Sequence, residues 1–196
     1  MEELTSEKIE DKDWSELEIK EVKFEKCTFI GVDFSDCRRT KAVFDTCKFV
    51  SCKFGGSYFT SCRLLNCTFK FCTMFGACFD RCKTTGSNFS EIDFASVDIK
   101  GGNWSYAGLR YCDFSKKQLN SVDFTAADLY GASFESSVVR GCNFSDCVLS
   151  KASFKNRDIR DNRFNGFDIS TANFTGAKVD IDFAVTAVNM LGAIFC

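Results

Sequence analysis

The chain of 196 residues contains no proline, no histidine, three methionines and two tryptophans. Missing histidine removes the commonest general base near neutral pH and the commonest metal ligand, which argues against catalysis, metal binding and cofactor chemistry. No apolar run approaches the roughly 18 residues that would span a bilayer, so no membrane association is expected. The start, MEELTSEKIEDKD, is acidic where a secretory leader would be basic, and a cytoplasmic location is expected. Thirteen cysteines are an odd number, which suits reduced thiols better than a disulfide framework. With 23 phenylalanines beside those cysteines, the composition is biased in the way an internal repeat biases it.

The repeat is five residues long. Taking every fifth residue from Phe24 gives Phe24, Phe29, Phe34, Arg39, Phe44, Phe49 and so on to Phe174 and Val179, and only Arg39 and Thr84 in that series are not apolar. Two residues before each of these stands a small side chain, as in CTF at 27–29 and ADL at 127–129. A period of five matches neither the 3.6 of an α-helix nor the 2 of a strand, so the backbone must turn once per repeat. If each repeat is one side of a square, the large central residue and the small one two earlier point inward, and four sides close a coil of twenty. From Phe94 onward the central residue alternates aromatic and aliphatic with period ten, as opposite sides of a square would. The expected fold is therefore all-β, a four-sided parallel β-helix over residues 21–180 with an N-terminal cap segment at 1–20. Residues 181–196 leave the register: Phe183, Ala187, Val188 and Leu191 have helical spacing, with Asp180 or Asp182 to cap the start and Gly192 to end it.

Eleven cysteines fall on the small inward position and read as packing; Cys78 and Cys196 do not. Misfits at inward positions are Arg39, Thr84, Lys117, Arg157, Asn162 and Phe167, and local bulging that carries the polar heads to water is the expectation for them. The run 157–167 is the best candidate for a distorted face. Leu65, Phe71 and Phe75 lie on or near outward positions and are expected to be exposed. Charge varies along the chain: residues 1–25 hold ten acids and four bases, 26–83 four and ten, and 84–137 seven and four. The acidic middle comes from Asp93, Asp98, Asp113, Asp123 and Asp128, each one residue before a central position, where Asp is also a good turn former.

The repeats CTFIG, ADLYG, ASFES and ANFTG resemble the pentapeptide-repeat superfamily, whose fold is the right-handed quadrilateral β-helix. The segments SEKIEDKDWSELEIKEVKF and TGAKVDIDFAVTAVNMLGAIF are similar to the first coil and C-terminal helix of Qnr-type quinolone-resistance proteins and their loopless relatives that bind DNA gyrase. That resemblance implies a homodimer joined through Phe183, Val188, Leu191, Ile194 and Phe195. It further implies a rod that binds DNA gyrase or topoisomerase IV by imitating duplex DNA and protects it from quinolones or a gyrase toxin. Direct nucleic-acid binding is not expected, and the five Asp residues are the candidate partner contacts. The loops that interrupt the Qnr repeat have no counterpart here. The other reading is a scaffolding pentapeptide-repeat protein with a different protein partner.

Overall fold

The computed structural model describes residues 2–193. Each strand pairs in parallel with a strand twenty residues away: Phe24 faces Phe44, Phe29 faces Phe49, and Phe59 faces Phe79. This register makes the coil twenty residues long and gives it four sides. Side one carries Phe24 and Phe44, side two Phe29 and Phe49, side three Phe34 and Phe54, and side four Phe59 and Phe79. The β-solenoid is followed by a helix, Ile181–Met190.

Each side is short because the chain must turn after it. Two residues past the central one the backbone is left-handed, as at Ser51, Ser61 and Asn66 with φ of 54°, 53° and 52°. That conformation swings the chain through the corner and costs a side-chain-bearing residue some strain. The gain is a core in which like rings stack from coil to coil: Phe49 lies 4.8 Å from both Phe29 and Phe69, with planes inclined by 7° and 3°. The small position is filled by thiols with a second use. Cys47 Sγ donates to the Phe24 carbonyl at 3.4 Å, and Cys67 Sγ to that of Phe44 at 3.5 Å. Ser87 makes the same bond to Leu64 O at 2.7 Å. Cysteine thus combines a small apolar body with a weak donor that ties one coil to the one before.

The first twenty residues are themselves a coil. Glu2–Thr5 pairs with Val22–Glu25, Lys8–Glu10 with Thr28–Ile30, and Glu18–Lys20 with Arg38–Thr40. Leu4, Ile9, Trp14 and Ile19 are its half-buried inward residues.

The inward misfits do not bulge to water. Arg39 is fully buried, with Ile19 and Phe59 on either side in its ladder. None of its three guanidinium nitrogens has a hydrogen-bond partner. Its charge sits instead against the Phe34 and Trp14 rings, 5.2 and 5.7 Å from their centroids, a cation–π contact that partly replaces water. Thr84 is also fully buried, and its hydroxyl donates to Asn103 O at 3.4 Å. Asn162 behaves as an enlarged serine: its amide donates to Val139 O, Ile159 O and Arg160 O, and its oxygen accepts from Cys142 N. Arg157 alone of these is half-buried, with Nε on Lys155 O. The local distortion lies just after the expected run, where a 3₁₀ turn at Ile169–Thr171 replaces the side-two strand.

One break interrupts the stack. Among the described residues no backbone hydrogen bond joins 91–101 to 111–121, whereas on the other two sides Thr84 N bonds Asn103 O and Phe89 N bonds Gly108 O between the same coils. Sides three and four therefore part at mid-rod, leaving a cleft of about 440 Å³ beside Asp98, Ser115, Lys117 and Gln118. Two oversized side chains account for it. Ile92 stands in a small-residue column between Cys72 and Cys112, and Lys117 in one between Val97 and Ser137. The Lys117 stem is buried, and its ammonium donates to the Ala95 carbonyl at 2.8 Å, an acceptor that regular stacking would have given to a backbone N–H.

Candidate interaction surface

Aspartates before central residues are built into the turns. Asp93 Oδ1 accepts from Ala95 N at 3.0 Å, Asp113 Oδ1 from Ser115 N at 2.8 Å, and Asp123 and Asp128 do the same two residues on. Each side chain closes a small ring over the backbone and leaves its second oxygen for other partners. In Asp128 that oxygen meets Arg110 at 2.9 Å, and in Asp123 it meets the Asn103 amide at 3.1 Å.

The five candidates do not share one face. Asp93 and Asp113 lie on side three, Asp98 on side four, Asp123 on side one and Asp128 on side two, as their ladder positions dictate. Three of them, Asp98, Asp113 and Asp93, lie near enough to the Lys117 ammonium to act on it electrostatically. Burial lowers the Lys117 pKa, and the three carboxylates oppose that shift. These three aspartates are the candidate acidic contact, and Lys100 and Lys116 line the cleft beside them. This contact coincides with the split in the stack, and Ile92, half of the cause of that split, could have been read from its size in the small-residue column.

Elsewhere the surface is aromatic. Phe71 and Phe75 are 76% and 79% exposed, while Leu65 is half-buried and does not join them. Sequence reasoning passed over a second group. Tyr111 packs edge-on to Tyr130 at 5.4 Å, and Arg110 and Lys151 sit 4.4 and 5.2 Å from the Tyr130 centroid. Tyr111 can lean across its corner because residue 131 is glycine: a Cβ there would come within 2.6 Å of the ring.

At the C-terminal end Asp180 caps the helix, accepting from Phe183 N at 2.9 Å, and also accepts from Asp161 N at 2.8 Å, which pins the helix to the last full coil. Phe183 is buried against Phe164 and Phe174, at 5.3 and 5.2 Å, so this expected dimer contact is consumed as a lid on the chain's own core. Leu191 stays 69% exposed and Val188 half-buried; Ile194 and Phe195 lie outside the described residues. Cys78, off the small-residue register, is nevertheless buried, and desolvation raises its pKa. Among the described residues no cluster of Cys, Asp or Glu is placed to hold a metal ion. Among the described residues no helix is long and apolar enough to cross a membrane.

A twenty-residue coil made of four five-residue sides defines a class. The family profile described as Pentapeptide repeats matches residues 105–141, 127–161 and 140–176, and the same five-residue register runs through the remaining coils, so the fold is that of a pentapeptide-repeat β-solenoid. Over the whole chain the fold is similar to that of a Qnr protein. Two trypsin-treated variants of QnrB1, described as a plasmid-mediated fluoroquinolone resistance protein, match with TM-scores of 0.53 and 0.51. Each is 25% identical, over 100% of this chain and 98% of the other. HetL, a pentapeptide-repeat protein of the cyanobacterium Nostoc, is 17% identical with a TM-score of 0.45 over 90% of this chain and 84% of its own. No curated protein matched by sequence search.

Proposed function

We propose that this chain binds a type II topoisomerase, DNA gyrase or topoisomerase IV, and so contributes to quinolone resistance without catalysing a reaction. The observation that carries the reading is the end-to-end likeness to QnrB1, which includes both the first coil and the C-terminal helix rather than the repeat alone. The acidic group of Asp93, Asp98 and Asp113 is the part of the rod suited to a surface built for duplex DNA, because such a surface is basic. Five aspartates spread over four sides do not form a strip of phosphate-like charge, so the contact is a local patch and not a copy of the whole duplex. A second copy of the chain docks through the exposed remainder of the helix, Ile181 and Leu191, which are 64% and 69% exposed.

Supercoiling by purified gyrase, followed with and without a fluoroquinolone, tests the function. Restored supercoiling in the presence of drug, or direct inhibition in its absence, is the expected result. Supercoiling indifferent to a large excess of the protein under both conditions would rule the reading out. For the dimer, Leu191→Glu should convert the sedimenting species to monomer without changing the far-ultraviolet spectrum.

A further inference from the structure

Three aromatic residues occupy corners where the backbone is left-handed: Phe71 at φ 56°, Tyr106 and Tyr111 at 58°. The other twenty non-glycine corners hold small or polar side chains. A bulky residue in that conformation is strained, and strain persists where something other than stability holds it. Burial does not repay it here, because all three side chains are about two-thirds exposed or more. They are confined to the middle of the rod, and Phe71 and Tyr111 stand on the same edge, between sides two and three, two coils apart with the exposed Glu91 at the intervening corner.

Side two beside that edge is basic. Lys48 and Lys70 have no ion-pair partner among the described residues, and Lys151 reaches only the Tyr130 phenol, which that contact makes more acidic. Arg110 is shared between Asp128 and the Tyr130 ring. Lys48 and Lys70 belong to the basic stretch 26–83, and Arg110 and Lys151 continue it along the same side. Exposed aromatics flanked by unpaired cations are the composition of a binding hot spot.

We propose that the edge formed by Phe71, Tyr111 and Tyr130, with Lys70, Arg110 and Lys151, is a docking surface for an acidic protein segment bearing apolar anchors. Phe71 supplies the apolar seat, and the ammonium, guanidinium and phenol groups supply donors for carboxylates. A nucleic-acid strand fits less well. Tyr130 is already covered by Arg110, Lys151 and Tyr111, so it offers no free ring face for a base, and the acidic first coil repels a long polyanion. This surface has the opposite sign to the group of Asp93, Asp98 and Asp113, so it stands or falls independently of topoisomerase binding.

Fluorescence anisotropy of a short fluorescein-labelled peptide alternating Glu and Leu tests it, against the Lys-for-Glu peptide and a short oligothymidylate. Saturable binding of the acidic peptide is expected, weakened about tenfold or more by Phe71→Ser with Tyr111→Ser, and likewise by Lys70→Glu with Lys151→Glu. Thermal unfolding provides the control for folding: the first pair should leave the midpoint unchanged or raise it, since two strained corners are relieved. Equal affinity for wild type and both double variants would overturn the proposal. Tighter binding of the oligothymidylate or of the basic peptide would overturn it as well.

Discussion

The coils before residue 91 and those after residue 111 share a register but not a construction. Before the break, sides one, two and four form sheets of four, four and five parallel strands, with cysteine columns and phenylalanine on most sides. After it the strands shrink to two pairs and a series of single bridges, and aliphatic residues alternate with aromatic ones inside. Ring stacking is the same in both: Phe134 lies 5.0 Å from Phe114 and 4.4 Å from Phe154. The difference teaches that the inward pair of large and small residues defines the coil, while regular strand geometry is optional.

Core truncation sharpens this first. Phe49→Ala and Phe134→Ala should each cost about 3–5 kcal/mol in chemical denaturation, because each removes a fully enclosed ring between two others. Similar losses in the two halves support the comparison. A loss confined to the strand-rich half would break it, by showing that the ladder and not the ring stack carries stability.

Arg39 is the anomaly of the first half. Replacing a buried, unpaired cation by a hydrophobe removes its desolvation cost, so Arg39→Leu should stabilise by about 1–4 kcal/mol. A destabilised Arg39→Leu variant would mean that the aromatic contacts to Trp14 and Phe34 outweigh burial of the charge.

The thiols of the second half respond to pH. Burial pushes Cys112 and Cys147 up to about 12 and Cys142 up to about 11. The folded protein thus keeps these thiols neutral where the unfolded chain, near its ordinary value of 9, ionises them. Their contribution is present below pH 9 and is lost as pH rises from about 9 towards 11–12. The melting temperature should fall across that window, and less so when the three cysteines are replaced by alanine.

The mid-rod break gives the smallest effect. Lys117→Ser restores a small residue whose hydroxyl can donate to Phe114 O as Ser137 does to Phe134 O at 2.6 Å. Combined with Ile92→Cys it should close the seam and slow amide exchange at Ile99, Gly101 and Gln118. Unchanged exchange at those three amides would show that side-chain size is not what parts the coils.

Much of this was legible in the sequence because the period of five is strict: the inward positions, the cysteine columns and the helix, with Asp180 or Asp182 to cap it, follow from spacing. Arg39 was placed by register but not by environment, since spacing cannot show that Trp14 and Phe34 would receive the charge. Phe183 had the right helical face, but which core it covers depends on how the helix folds back on Phe164 and Phe174. The candidate aspartates were identifiable one by one, whereas their scatter over four sides follows only from the twenty-residue coil. Tyr111, Tyr130 and Arg110 gave no signal, because outward positions carry no periodic constraint.

The most direct test of the account is the affinity for the intact gyrase heterotetramer of the wild type and of the Asp93→Asn, Asp98→Asn, Asp113→Asn variant, at low and physiological salt. If these three aspartates make the contact, the triple variant binds more weakly with its fold intact, and wild-type binding falls as salt rises because exposed charges are screened over about 8 Å. An Asp123→Asn, Asp128→Asn control, altered on sides one and two, should bind as wild type does. Equal, salt-insensitive binding by all three proteins would contradict the account.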